Sequence, residues 1–311
     1  MGTSAGARPA ALRATAGGRE SLAGVVYAVA ATAAFSTAAI LVTVAFRSGL
    51  GSPWTVAFLR LAVGTVAIGA SATLARVPLG VGGAVVGRLA RYGAVAAAHF
   101  VLYIASFAYT SIPHAVSLVN TSPVFVAVGS RLLFGERLGW RRSAGIGVTV
   151  LGIGLLERVT VHLDPRVWVG DLLALGAAVC YALYSLAGRA ERQRVPLLAY
   201  VFWVFLWAAL FLAIPGLLTG FAPGAAGRPL QEATPGAWAA VVLLGLVPLA
   251  LGHGLYNAAV RRASATVVNL IATQEVTGAV LLGAVIFGQV PSGTTVLGMA
   301  VALGGVALVL W

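Results

Sequence analysis

Two charged side chains, Glu275 and Arg60, stand well inside long apolar runs. Glu275 lies about twelve residues into the run 263–287, near its middle at about 1.5 Å rise per residue. A carboxylate at the centre of a bilayer costs about 2.5–3.5 kcal/mol on insertion scales, so it needs a partner or water. It could take up and release a proton, hold a cation, or serve as a helix-packing carboxyl. Arg60 is about six residues into the run 54–74. Its long stem could carry the guanidinium to the surface, or leave it inside for gating or charge pairing. Polar side chains recur at helical spacing in neighbouring runs: Ser36; His99 and Tyr103; Asn120 and Thr121; Tyr181 and Tyr184; His253, Tyr256 and Asn257; Thr273 and Gln274. In lipid such groups must find partners or water. Interhelical hydrogen bonds, worth about 0.6 kcal/mol a pair, would account for any one of them. Their clustering suggests a hydrated cavity, above all at Tyr103 and Tyr256 with His99 and His253 nearby. No acid or thiolate stands by the histidines to complete a metal set, and neither a metal nor another cofactor is expected.

Composition sets the elements that must hold these residues. The chain of 311 residues is 60% hydrophobic and 9% charged, with a mean hydropathy of +0.97. A soluble domain carries roughly 25% charged residues. Apolar runs of about twenty residues recur, as membrane-spanning helices require. The net charge of +12 is therefore no nucleic-acid signal, because the arginines fall in the gaps between runs. Cys180 is the single cysteine, which excludes an intrachain disulfide and a thiolate cluster. The chain has no lysine, which excludes a Walker A loop and a lysine Schiff base.

The runs are 22–46, 54–74, 92–110, 115–134, 143–156, 170–187, 197–218, 238–260, 263–287 and 294–311. Residues 1–20 are small, polar and Arg-bearing, and read as a disordered tail. When the gaps are numbered alternately, one side takes 15 arginines and the other 4, with Arg60 left over. The positive-inside rule then puts both termini in the cytoplasm and the chain in the plasma (inner) membrane. Glu136 with Arg137, Arg141 and Arg142 belongs to that topology signal. The remaining acids, Glu157, Asp164, Asp171, Glu191 and Glu232, are scattered. A constant offset pairs Leu102 with Leu255, Tyr103 with Tyr256, Ser111 with Ser264, Gly135 with Gly288, Gly145 with Gly298 and Gly152 with Gly305. This indicates an internal duplication, 21–160 and 161–311. Each half holds an odd number of spans, so the halves insert with opposite orientation, as in secondary transporters. The expected fold is an all-α integral membrane protein of ten helices, in two inverted five-helix repeats around a central cavity. Gly145, Thr149 and Gly152 match Gly298, Ala302 and Gly305, and this small-residue stripe could pack two helices or form a homodimer face.

FLRLAVG in the second run, SLVNTSPVFVAVGSRLLFGERL in the fourth and GDLLALGAAVCYALYS in the sixth resemble the EamA family of the drug/metabolite transporter superfamily. The resemblance implies a ten-helix, exporter-like carrier with a central cavity, moving amino acids or other small metabolites. The chain has Glu275-Val276 where the family often has Glu-Pro, and Gly288-Gln289 where it often has Gly-Glu. Three functions compete. A secondary carrier working by alternating access, with a small-molecule substrate and proton or other ion coupling, is favoured by the inverted repeat. An integral-membrane enzyme would need a clustered catalytic set, and a receptor would usually add a soluble signalling segment. Neither is seen.

Overall fold

A computed structural model describes residues 21–50, 52–106, 109–110, 112–136, 138–156, 165–191, 193–218, 233–288 and 290–310. The expected disordered tail, the boundary between the halves, and Ser111, Arg137, Glu157, Asp164, Glu232 and Gln289 lie outside them. Among the described residues every regular element is a helix. Nine helical spans among the described residues are long and apolar enough to cross a membrane. A tenth, α7 (Trp140–Leu156), has 17 residues. Large apolar side chains point outward around the bundle, Leu22 at 78% exposure and Val285 at 83% among them. That outer belt suits lipid and would be untenable in water. Val126 has the spacing of a lipid-facing residue, but it is fully buried against α8 (Pro165–Ala190), with Ala182 and Leu186. Val124 and Val128, on the same helix as Val126 (Ser122–Phe134), are exposed.

Three of the spans are broken near their middles. The first divides into α1 (Leu22–Phe35) and α2 (Ala38–Arg47). The fourth divides into α5 (Ile112–Val119) and α6 (Ser122–Phe134), and the ninth into α12 (Ala265–Ala272) and α13 (Glu275–Phe287). Each break falls on polar residues that take carbonyls from the preceding turn. Ser36 Oγ donates to Thr32 O (2.8 Å) and Thr37 Oγ1 to Ala34 O (2.7 Å). Thr121 Oγ1 donates to Leu118 O (2.6 Å), and Thr273 Oγ1 to Leu270 O (2.7 Å). Side chains of this kind offer the backbone an alternative to the helix ladder. Broken backbone at membrane depth is tolerated where it is buried in protein or lines a cavity.

The second and third breaks, Asn120–Thr121 and Thr273–Gln274, are related by the offset that pairs Tyr103 with Tyr256. So are the left-handed caps Gly135 (φ 68°) and Gly288 (φ 66°), a conformation that glycine adopts without steric cost. The eighth span is interrupted differently. Between α10 (Pro235–Leu244) and α11 (Gly254–Val260), residues Gly245–His253 wind as a π-helix around Pro248. Proline supplies no N–H and its ring crowds the carbonyl of the preceding turn. Gly245 lets this wide segment approach α3 (Pro53–Leu74) beside Arg60; a methyl there would lie 3.1 Å from Arg60 O.

The small-residue stripe packs two helices of the same chain. A methyl on Gly145 would lie 2.7 Å from Gly305 O, and one on Gly152 2.6 Å from Ala302 Cα. Thr149 Oγ1 donates to Ala302 O across the interface (3.3 Å). The stripe is thus filled from within by α14 (Gly293–Leu310), which leaves it no dimer to make.

Candidate functional site

The breaks converge on a cavity of about 280 Å³. This is near the small end of ligand pockets, about 300–1,000 Å³. Its wall is drawn from α1 and α2 (Phe35, Ala38), α3 (Arg60), α4 (Gly83–Ser106; His99, Phe100, Tyr103), the fourth span (Val116, Asn120, Ser122), α8 (Tyr181), the π-helical segment (Pro248, His253) and the ninth span (Thr273, Glu275, Val276).

Arg60 does not reach the surface. It is 6% exposed, and its guanidinium lies 4.8 Å over the Phe100 ring. Its Nε is buried without a hydrogen-bond partner. Glu275 opens α13 and is half-buried on the same wall. A carboxylate in the first turn is favoured by the helix dipole. Asn120 shares that wall, with its Nδ2 donating to Val116 O (2.9 Å). Among the described residues no direct ion pair joins the two charges. They face one space without closing on each other.

His99 Nδ1 lies 2.9 Å from Ala177 O. A carbonyl only accepts, so Nδ1 carries the hydrogen and, in the neutral ring, Nε2 is left with its lone pair. Tyr103 stacks on this ring at 6.1 Å and Tyr181 lies at 5.1 Å. His253 is boxed by Phe35 (4.8 Å), Phe205 (5.4 Å) and Tyr184 (5.6 Å), with its Nδ1 unpartnered. Among the described residues no group of three histidine, cysteine or acidic side chains could hold a metal.

One end of the cavity is closed by two layers. The nearer is a buried hydrogen-bond network. Tyr256 Oη donates to Ser185 Oγ (2.6 Å), Asn269 Nδ2 to Tyr256 Oη (3.4 Å), and Ser122 Oγ to Asn269 Oδ1 (3.0 Å). Beside it Asn257 Nδ2 donates to Tyr184 Oη (2.5 Å) and His253 O (2.7 Å). The farther layer is charged. Arg88 Nε and Nη2 meet the Glu191 carboxylate at 2.6 and 3.2 Å, and Tyr92 Oη donates to it at 3.3 Å. Arg189 pairs with Glu136, and Arg261 Nη1 donates to Val195 O (2.9 Å). Separate helices give the same order. Along α8 come Tyr181, Ser185 and Arg189; into and beyond α11 come His253, Tyr256 and Arg261; backwards along α4 come His99, Tyr92 and Arg88.

Of the fourteen residues singled out from sequence, eight stand on the cavity wall: Arg60, His99, Tyr103, Asn120, Tyr181, His253, Thr273 and Glu275. The other six do not. Tyr184, Tyr256 and Asn257 belong to the hydrogen-bonded layer. Ser36 is turned into its own helix break and against α13, where a methyl on Gly278 would lie 2.7 Å from Ser36 Cβ. Thr121 returns its hydroxyl to Leu118 O. Gln274 Oε1 accepts from Thr277 (3.1 Å), and its Nε2 has no partner. Sequence reasoning missed the apolar wall (Phe35, Phe100, Val116, Val276), Ser122 and Asn269. It also read Glu191 as one of several scattered acids. The partner of Glu191 stands 103 residues away, and only the fold brings them together.

The model of the EamA-like transporter family matches residues 22–158 and 168–311, and the chain belongs to that family. It is similar to a probable terminal-alkyne amino-acid exporter of Streptantibioticus cattleyicolor, 28% identical over 194 residues, 62% of each chain. It is also similar to a biotin transporter of Salmonella typhimurium, 23% identical over 198 residues, 61% of this chain and 63% of that one. The chain thus spans under two thirds of the length of these relatives. A solved crystal structure shares the fold at a TM-score of 0.77 and 23% identity, over 92% of this chain and 95% of the other. The protein is a multi-pass membrane protein of a transporter family, and the family and these relatives are transporters, not enzymes.

Proposed function

We propose that this chain is a secondary transporter that exports amino acids or other small metabolites across the plasma membrane by alternating access. The observation that carries the reading is a cavity lined by the broken helices and closed at one end by two polar layers. The closing layers lie at the arginine-bearing helix ends, which the positive-inside rule assigns to the cytoplasm. On this reading the conformation is an outward-facing one. The coincidence of the breaks at Asn120–Thr121 and Thr273–Gln274 supports two inverted five-helix repeats that rock about the cavity. The relatives' names, an amino-acid exporter and a biotin transporter, support a small-molecule substrate. Glu275 is the group through which a proton or other ion would couple, because its charge can differ between the two facing states. A homodimer would need a face other than the Gly145–Gly152 stripe.

An enzyme or receptor acting on a small molecule is the competing reading, and no observation favours it. Flux separates the two. Proteoliposomes loaded with a mixture of amino acids and small carboxylates should lose at least one component faster than protein-free liposomes. Loss equal to that of protein-free liposomes for every component would remove the transport reading.

A further inference from the structure

We propose that the corner where α6 ends and α7 begins holds the headgroup of an anionic phospholipid, with Arg131 and Arg141 on its phosphate and Trp140 beside it. The proposal uses the transport reading in no step, and the proposed topology only to say that the cytoplasmic leaflet supplies the lipid. Residues 131–142 carry four arginines and one acid, Glu136. That acid is turned inward to Arg189, which is buried and lies over the Phe134 ring at 5.1 Å. Glu136 therefore belongs to the closing layer and does not neutralise the surface. Arg131 and Arg141 are exposed, and among the described residues neither meets a carboxylate. Trp140 opens α7 at 73% exposure, and the Arg141 guanidinium lies 5.7 Å over its ring. A guanidinium docked on a ring still has its N–H edge to offer, and a phosphate accepts two parallel hydrogen bonds from it. Leu132 and Leu133, 77% and 65% exposed on the last turn of α6, present apolar surface for the acyl chains.

The same chain contains a contrasting corner. The offset that pairs Tyr103 with Tyr256 pairs this corner with the one between α13 and α14. The apolar pair is kept there, as Val285 and Ile286, both exposed. The left-handed glycine cap is kept too, Gly288 for Gly135. The polar surface is not: Ala284 stands for Arg131, Gly293 for Trp140 and Thr294 for Arg141. One helix can thus turn into the next at this place without arginine or tryptophan. A topology signal accounts for arginines, but not for an exposed tryptophan with one of them docked on it. An anionic lipid answers both, since its charge attracts arginine and the indole sits at headgroup level. A zwitterionic headgroup brings an ammonium to the same arginines, and a free phosphate has nothing to lay against the leucines.

The test is quenching of tryptophan fluorescence in the reconstituted full chain by lipids brominated on their acyl chains. The chain has seven tryptophans, so the Trp140 signal is the difference between wild type and Trp140→Phe. Brominated phosphatidylglycerol should be preferred there over brominated phosphatidylcholine by roughly 25-fold, about fivefold for each of two arginines near a headgroup. Arg131→Gln and Arg141→Gln should each lower the preference by about fivefold, and together abolish it. A tryptophan placed at the other corner, Gly293→Trp in the Trp140→Phe background, should show no preference. A wild-type preference below about threefold would overturn the proposal. So would a preference that survives the double change, an equal one at Gly293→Trp, or one displaced by millimolar inorganic phosphate, which would make the corner a free-anion site. Both arginines are at the surface; should a variant not fold, the comparison of the two corners decides alone. Each lipid is present in both leaflets, so the result does not depend on orientation. Flux plays no part in the readout: absence of the preference leaves the transport reading standing, and absence of flux leaves this proposal standing.

Discussion

Removing the charge of Glu191 should open the closed face of the protein. Its carboxylate is fully buried and accepts from Arg88 at 2.6 and 3.2 Å and from Tyr92 at 3.3 Å. Glu191→Gln keeps the size and one acceptor but leaves the Arg88 charge unmatched. Removing one member of a buried pair costs about 3–5 kcal/mol. The Arg88 side chain is 28% exposed, so water recovers part of that, and about 2–3 kcal/mol is the expected loss. If the pair exists only while this face is closed, the equilibrium shifts toward the open face by roughly 30- to 140-fold at 1.4 kcal/mol per decade. A cysteine at Ser185, within the hydrogen-bonded layer, in a Cys180→Ala background reads that shift. An aqueous thiol reagent applied from the cytoplasmic side should modify it slowly in the parent and faster by that factor in Glu191→Gln. The double change Arg88→Met with Glu191→Met should recover the melting temperature that the single change loses, because no unmatched charge remains. Unchanged labelling with a lower melting temperature would mean that the pair persists in both states. Unchanged labelling and melting temperature would mean that it contributes nothing. Either result refutes the reasoning.

A reporter fused after Trp311 or placed at Arg192 should read cytoplasmic and one at Arg228 external; an Arg228 reporter on the cytoplasmic side would remove the ten-span topology and the inverted repeat with it. Cysteines at Asn120 and Thr273 should react with a small aqueous thiol reagent while Val124 and Val128, exposed on the outer face, should not. Equal labelling at all four positions would mean that the cavity wall is no wetter than the lipid face. Glu275→Gln should abolish flux driven by a pH gradient, since glutamine keeps size and hydrogen bonding but cannot change charge. Undiminished pH-driven flux in a folded variant would leave Glu275 a packing role.

Membrane class, span order and the outer belt were legible because a bilayer imposes a length and a polarity on every helix. The Gly145–Gly152 stripe was legible as close packing, because small residues a turn or two apart leave room for only a few arrangements. Its partner was less so, since a dimer and a neighbouring helix offer the same surface. The polar stripes were legible, but not their division between cavity and closing layer. Tyr103 and Tyr256 are paired by the constant sequence offset, yet one lines the cavity and the other is fully buried against Ser185. Helical periodicity reports which face a residue occupies and not what stands opposite. The breaks at Asn120–Thr121 and Thr273–Gln274 were read as continuous helix, because two nearly collinear pieces keep one apolar pattern. Arg60 could have reached the interface from its place in the sequence, and only the Phe100 ring and the π-helical segment beside it show that it stays inside.

If the two halves are repeats, the unequal fates of Tyr103 and Tyr256 bear on how such a chain can face two ways. If the halves were used identically, the cavity would be symmetric about the membrane midplane, open at both ends or closed at both. Here the second half contributes Tyr256, Ser185 and Asn269 to a layer tied to the first half through Ser122. Tyr103, the repeat mate of Tyr256, is left facing the cavity beside His99. On the alternating-access reading this is what one sequence pattern used twice, in opposite orientation, must produce. One copy of the tyrosine is buried in the closing layer while the other lines the cavity, and the exchange of those roles turns the cavity to the opposite face. Within the nearer layer the bonds to be broken are single neutral hydrogen bonds, each worth about 1 kcal/mol net. The two ion pairs of the farther layer, Arg88–Glu191 and Arg189–Glu136, then carry a large share of the bias that holds the closed face shut.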